Sequence, residues 1–290
     1  MAVEPLSSVE VGSVGGASFE TGALVPVALG PLVEISSGRL KLEIAPQAGG
    51  RIAQIFRDGI EQLVGYGGAH TTMIGWGCYP TLPWAGRIRD GRFRFEAQDF
   101  QLPLNMGAHA IHGVGFAMPW QVDSQQADVL ELSLALPQDA RWPFGGIAYQ
   151  RMELMEDRLE LRLSLHAGEM AMPAVIGWHP WFLKPERMQF SPEGIYPRDA
   201  AGISTLPVVS PTPGPWDDCF INTEAVTLER PGQRVRLSSD CTHWVVYDQA
   251  AYATCVEPQS GPPDAFNIEP QVLPPGGMLS RWFRMQWQDG

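Results

Sequence analysis

The feature of this sequence that most limits its fold is a period-two alternation of apolar and polar residues, repeated in short segments along the chain. The clearest case is a predicted hairpin. Met152 and Leu154 precede a turn at Glu156-Asp157, and leucines then occupy every second position of residues 159–165. Successive side chains of a β-strand point to opposite faces, so this pattern is typical of strands with one buried face. It predicts an all-β, antiparallel fold with little helix.

Glycine and proline divide the chain into many short segments. The 290 residues include 31 Gly and 26 Pro, spread over the whole length, which suits short strands joined by turns. Residues 1–30 are rich in small residues and predict a loosely ordered N-terminal extension with one strand near residues 24–29. Residues 31–290 contain neither an internal repeat nor a linker, so they predict one large β-sandwich domain.

Charge and cysteine content limit the classes of partner. The formal net charge of −12 disfavours nucleic acid or an anionic membrane as the main partner, because both require a positive surface. A neutral ligand such as a sugar is compatible with this charge. No apolar run is long enough for a membrane span, and no segment resembles a signal peptide. Four widely spaced cysteines, Cys78, Cys219, Cys241 and Cys255, predict buried free thiols and a cytoplasmic protein.

Two polar residues in apolar surroundings are candidates for proton transfer. His179 stands among Trp178, Trp181 and Phe182, where burial disfavours the charged imidazole unless a carboxylate compensates. Such a group can act as a proton donor near neutral pH, and a core histidine bonded to a carbonyl is an equal alternative. Glu257 ends an apolar segment before a Pro/Gly-rich loop, so it is either a cleft carboxylate or a surface residue.

Further candidates lie between residues 83 and 113. Arg87 is surrounded by apolar residues and is either an ion-pair partner or a donor to ligand oxygens. His109 and His112 are three residues apart, but on a strand they point to opposite faces, so no metal site is predicted. Gly113 next to His112 permits a close approach of backbone or ligand. Motifs for nucleotide binding, zinc proteases and serine hydrolases are absent from the sequence.

Taken together and in this order, these segments resemble the aldose 1-epimerase (galactose mutarotase) family. The segments are residues 86–93 (GRIRDGRF), 101–105 (QLPLN), 111–113 (IHG), 177–182 (GWHPWF), Asp217 with Phe220, and 256–260 (VEPQS) followed by Phe266-Asn267. The resemblance runs from about Leu32 to the C-terminus. It implies a β-supersandwich and the cofactor-free interconversion of the α and β anomers of a free aldose.

The resemblance also implies roles for individual residues. Glu257 corresponds to the general base and His179 to the general acid, while His112, Arg87 and Asp217 correspond to residues that bind the sugar. Asp217 is preferred to Asp218 because of its spacing to Phe220, and Trp178 is predicted to stack on the sugar. Two alternatives stay open, a hexose-6-phosphate mutarotase and a non-catalytic sugar-binding protein of the same fold. The expected assembly is a monomer or a homodimer.

Overall fold

A computed structural model describes residues 19–289. The strands are β1 Val33–Ser37, β2 Leu40–Ala45, β3 Arg51–Arg57, β4 Ile60–Glu61, β5 Cys78–Thr81, β6 Arg87–Ile88, β7 Arg92–Phe95, β8 Gln98–Gln101, β9 Ala110–Ile111, β10 Gln121–Gln125, β11 Val129–Ala135, β12 Ile147–Leu154, β13 Arg158–His166, β14 Met172–Pro173, β15 Gly177–Leu183, β16 Arg187–Gln189, β17 Gly194–Ile195, β18 Asp217–Ile221, β19 Val226–Arg230, β20 Gln233–Ser239, β21 His243–Tyr247, β22 Ala253–Gln259, β23 Val272–Leu273 and β24 Met278–Asp289.

Two large antiparallel sheets contain most of these strands. The first sheet has the order β1-β2-β3-β5-β15-β22-β21-β18-β17, with β4 paired to β3. The second has the order β10-β11-β12-β13-β24-β20-β19-β16. Two-stranded sheets form between β14 and β23, β6 and β9, and β7 and β8. The predicted all-β, antiparallel supersandwich is therefore confirmed.

The main hydrophobic core lies between the two large sheets. Trp178 on β15 packs against Phe283 on β24, with ring centroids 5.8 Å apart. Val256 on β22 and Leu161 on β13 belong to the same buried cluster. On β15 and β22 almost every side chain is buried, because the opposite face of these two strands is covered as well. That second covered face lines the cavity described below.

The predicted hairpin is confirmed in detail. β12 and β13 pair antiparallel, with Leu154 opposite Leu159 beside the turn. The inward leucines of β13 are all buried, and the polar residues between them are partly or fully exposed. Helix is scarce in residues 19–289: one α-helix, α1 (Ala265–Ile268), and 3₁₀ turns at Phe19–Leu24, Pro46–Ala48, Arg89–Gly91 and Gly115–Ala117. None of these helices is long and apolar enough to cross a membrane.

The predicted N-terminal extension is described only in part, since residues 1–18 lie outside the described residues. The strand predicted near residues 24–29 is wrong. The chain there follows the first 3₁₀ turn and makes an isolated bridge from Pro26 to Thr72. Two backbone N–H groups attach this segment to the domain: Ala23 donates to Asn105 and Val27 donates to Thr71. The boundary between an extension and a domain stays a prediction.

Candidate active site

The first sheet brings the two proton-transfer candidates together on one face. His179 on β15 lies opposite Tyr79 on β5, and Glu257 on β22 lies opposite Val245 on β21. The register between β15 and β22 pairs Trp181 with Cys255, which places His179 directly across from Glu257. Because side chains alternate along a strand, these groups share the face that points away from the main core.

A second row of side chains runs beside the first on the same face. Trp181 lies opposite Cys255, Cys255 opposite Tyr247, and Tyr247 opposite Asp217. Asp217 is on β18, two strand spacings, or ~10 Å, from the strand of Glu257.

Alternation along β15 corrects one prediction. Trp178, predicted to stack on a sugar, is fully buried in the core between the sheets and does not line the cavity. Its neighbours of the opposite parity, His179 and Trp181, line the cavity instead. The sequence segment GWHPWF is apolar on both sides of the strand, so it gave no signal for which tryptophan faces the ligand. The aromatic contact is thus available from Trp181.

A cavity of about 400 Å³ covers this face. Its volume falls at the small end of the range for small-molecule sites, which suits a monosaccharide. His112, His179, Glu257, Arg87 and Asp217 all line it, so five of the six predicted site residues meet in one place. Asp218, the alternative to Asp217, lines it too. Sequence reasoning assigned no role to several other lining residues, among them Tyr79, Trp181, Arg198, Tyr247 and Gln259.

The two proton-transfer candidates are in direct contact at the bottom of the cavity. Nε2 of His179 lies 3.2 Å from Oε1 of Glu257, and both side chains are almost completely buried. Gln259 donates from Nε2 to Oε2 of Glu257 at 3.2 Å, which fixes the orientation of the carboxyl group. Gln259 is two residues after Glu257, and this same-face spacing was the signal that could have identified it.

Burial sets the protonation of this pair in the empty cavity. Desolvation raises the pKa of Glu257 well above its usual value, and the charge of Asp217 adds to this effect. Desolvation also lowers the pKa of His179 well below its usual value. The uncharged carboxyl and the uncharged imidazole are therefore favoured, rather than the ionised glutamate and protonated histidine predicted from the sequence. Both forms carry the same number of protons, and they differ by the transfer of one proton across the 3.2 Å contact.

Two aromatic rings hold the imidazole of His179 in place. Tyr79 stacks on it with ring centroids 4.8 Å apart and an interplanar angle of 29°, and Trp181 stacks on it at 5.2 Å and 11°. These contacts restrict the rotation of the imidazole, whose Nε2 lies 3.2 Å from Glu257.

His112 enters the cavity from the short two-stranded sheet of β6 and β9. Arg87 pairs with Ile111, and the next residue, His112, has a left-handed backbone with φ of 60°. Gly113 must be glycine, because a Cβ there would lie 1.8 Å from the carbonyl oxygen of Leu82. The backbone N–H of Gly86 donates to Nδ1 of His112 at 3.3 Å.

That hydrogen bond decides what His112 can offer a ligand. Because Nδ1 accepts, the neutral ring carries its proton on Nε2 and acts as a donor. Burial, assisted by the charge of Arg87, lowers the pKa of His112 to about 3, so the ring is neutral near pH 7. A neutral donor suits the oxygen of a neutral sugar.

The far wall of the cavity contains an arginine between two carboxylates. Arg198 contacts Oδ2 of Asp217 from Nη1 at 2.7 Å and Oδ1 of Asp218 from Nε at 3.0 Å. The predicted choice between Asp217 and Asp218 is therefore not exclusive, since both line the cavity. The guanidinium of Arg87 also lines the cavity, makes no side-chain hydrogen bond or ion pair within residues 19–289, and is available to a ligand. No sequence motif indicated Arg198.

One cluster of side chains, of which His179 and Glu257 line the cavity, has the composition of a metal site. His179, Cys255 and Glu257 each offer one ligand atom, and these atoms lie within 4.8 Å of one another. All three side chains are buried. The sequence predicted no metal, and the proton-transfer chemistry considered below does not use one.

Comparison with known proteins identifies the family. The family model described as aldose 1-epimerase matches residues 31–286. YphB of Escherichia coli K12, an uncharacterized protein, is 32% identical over 171 residues, which span 56% of this chain and 56% of YphB. This match thus covers little more than half of that relative.

Solved structures share the fold. A galactose mutarotase-like protein from Clostridium acetobutylicum superposes with a TM-score of 0.80 and 16% identity, over 89% of this chain and 95% of that one. Galactose 1-epimerase from Lactobacillus acidophilus superposes with a TM-score of 0.76 and 18% identity, over 92% of this chain and 98% of that one. At these identities the likeness concerns the fold. Since the family match extends over most of the sequence, the chain belongs to the aldose 1-epimerase family.

Proposed function

We propose that the protein is an aldose 1-epimerase that interconverts the α and β anomers of a free aldohexose by acid/base ring opening and closing. The observation that carries this proposal is the 3.2 Å contact between His179 and Glu257 in a cavity of monosaccharide size. Mutarotation requires two proton transfers at oxygens bonded to the same carbon. Two proton-transfer groups in contact can reach two such oxygens at once.

In the proposed reaction Glu257 takes the proton from the anomeric hydroxyl and His179 gives a proton to the ring oxygen. The C1–O5 bond breaks, the aldehyde forms, and rotation about C1–C2 presents the other face of the carbonyl. Return of both protons closes the ring as the other anomer. At the open-chain stage the proton from the hydroxyl is on Glu257 and His179 is neutral. That is the uncharged pair which burial favours, so the cavity stabilises the enzyme in the middle of the reaction.

The remaining predicted residues bind the sugar in this proposal. Arg87 donates to a ring or anomeric oxygen, and its charge lowers the pKa of Glu257, which favours the carboxylate that starts the reaction. His112 donates from Nε2, and Asp217 accepts from hydroxyls at the far wall. Trp181 takes the stacking role predicted for Trp178, because aromatic faces pack well against the C–H face of a sugar ring.

The charges in and beside the cavity favour a free sugar over a hexose 6-phosphate. A phosphate site requires cationic donors that are free to bind it. Arg198 is occupied by Asp217 and Asp218, and Arg89 contacts Asp199 at 2.6 Å. Arg87 is free, but in this proposal it binds a ring or anomeric oxygen, so a 6-phosphate would have to displace these carboxylates and would meet their repulsion. We therefore propose the unphosphorylated aldose as substrate.

All four cysteines lie in the described part of the chain and are free and buried. Free thiols are typical of proteins in reducing compartments, which supports placing this activity in the cytoplasm.

Polarimetry and saturation-transfer NMR test the proposal directly. The protein should accelerate anomer exchange of several free aldohexoses, with glucose much faster than glucose 6-phosphate. Sugar binding without acceleration would identify a non-catalytic sugar-binding protein. A preference for glucose 6-phosphate would contradict the proposed substrate.

A further inference from the structure

Cys255 lies beside the proton-transfer pair although the proposed reaction gives it no task. It is two residues before Glu257 on β22, so both side chains point into the cavity face of the sheet. Its thiol is completely buried and within 4.8 Å of the ligand atoms of His179 and Glu257. Serine or alanine would fill the same position without chemical reactivity. The thiol adds a ligand to a pair that already offers two.

The spacing of these atoms fits a tetrahedral metal ion. Bonds of ~2.0–2.1 Å from Zn²⁺ to nitrogen and oxygen separate the two ligand atoms by ~3.3 Å in a tetrahedron. Nε2 of His179 and Oε1 of Glu257 are 3.2 Å apart. A Zn–S bond of ~2.3 Å requires the sulfur ~3.6 Å from the same atoms, and the ligand atoms of this cluster lie within 4.8 Å of one another. Three ligands are complete once the sulfur has approached the other two atoms by up to ~1.2 Å.

The chemistry of the three groups selects the kind of ion. One imidazole, one thiolate and one carboxylate form a borderline-soft set that suits Zn²⁺ and disfavours Mg²⁺, which requires oxygen ligands. A thiolate and a carboxylate together offset the two positive charges, so the occupied site is neutral, as burial demands. Gln259 holds the second oxygen of Glu257 at 3.2 Å and would orient the carboxylate toward the ion.

We propose that His179, Cys255 and Glu257 form an inhibitory binding site for Zn²⁺ or a divalent ion of similar softness. The ion occupies the two groups that transfer protons and leaves its fourth position open to the cavity. Metal binding and anomer exchange are then mutually exclusive. The inhibition rests on the proposed function, whereas the binding of the ion does not.

The experiment measures metal binding and activity separately. Co²⁺, which adopts the same tetrahedral geometry, reports binding through the thiolate-to-metal charge-transfer absorption. Zn²⁺ titration followed by polarimetry reports inhibition, and a chelator should restore the rate. Cys255→Ser and Cys255→Ala remove the thiol, and Cys241→Ser is the matched control because Cys241 is also buried but does not belong to this cluster. Thermal unfolding of each variant shows that it is folded.

We expect Zn²⁺ to inhibit the wild type and the Cys241 variant, and Mg²⁺ to have no effect. Both Cys255 variants should keep their basal activity, need at least ~10-fold more Zn²⁺ for the same inhibition, and lack the Co²⁺–thiolate absorption. Absence of this absorption in the wild type, or equal inhibition in the Cys255 variants, would overturn the proposal. A Co²⁺–thiolate signal that depends on Cys255, in a protein without epimerase activity, would support the metal site and refute the proposed function.

Discussion

Replacing Glu257 by glutamine tests the proton-transfer pair with little change in shape. The amide has the size of the carboxyl group, and its oxygen can still accept the hydrogen bond from Gln259. Its NH₂ group then faces Nε2 of His179 across the present 3.2 Å contact. The variant should bind sugar and fold normally, but it cannot take a proton from the anomeric hydroxyl. We expect kcat to fall by ~10²–10⁴-fold, equivalent to ~3–5 kcal/mol of activation free energy, with a small change in KM.

Saturation-transfer NMR on glucose at low temperature measures this loss against the slow uncatalysed exchange. The matched control is Glu269→Gln: Glu269 accepts a hydrogen bond from the hydroxyl of Tyr196 at 2.9 Å and does not line the cavity. Its rate should equal that of the wild type. A near-normal kcat in Glu257→Gln would show that the carboxyl group transfers no proton, and the mechanism would be wrong.

Three further predictions follow from the same contacts. Trp178→Ala should lower the free energy of unfolding by ~3–5 kcal/mol in denaturant titrations, because Trp178 is buried in the core. Trp181→Ala should chiefly lower kcat/KM, because Trp181 lines the cavity. The opposite pattern would contradict the assignment of the two tryptophans to opposite faces of β15. Arg87→Met should raise KM by ~10–100-fold, because the sugar loses a hydrogen bond to a charged donor. Arg89→Met should leave KM unchanged, because Arg89 is paired with Asp199. Equal effects of the two substitutions would refute a binding role for Arg87. His112 has its folded pKa lowered to about 3, so the unfolded chain binds more protons between pH 6.5 and 3. The neutral form of His112 therefore contributes to stability above pH 6.5, and this contribution falls by ~1.4 kcal/mol per pH unit as the pH falls through that window. Thermal scans at several pH values should show that His112→Gln loses less stability in acid than the wild type does.

Local pattern was sufficient to predict much of this fold. The alternating leucines of β13 face the core because strand geometry fixes the direction of each side chain, whatever its partner. Glu257 and His179 were paired through the order of motifs along the chain, and in the structure the two side chains lie 3.2 Å apart. The strand predicted near residues 24–29 does not form. A strand requires a neighbouring strand to pair with, and this segment has only the isolated bridge from Pro26 to Thr72.

Other features of the site depend on contacts between distant segments. Arg198 belongs to no recognisable motif, and in the structure it lines the cavity and contacts Asp217 and Asp218. The choice of Trp181 over Trp178 depends on which face of β15 meets the second sheet, and both faces are apolar.

Local spacing and motif order were enough to predict the strand-rich class, the family resemblance and the residue types available for proton transfer. The register that places Cys255 beside His179 and Glu257, and the burial that shifts the pKa values of His179 and Glu257, could not be predicted in this way. Desolvation and hydrogen-bonding geometry depend on every segment that surrounds a group, and these segments are distant in sequence.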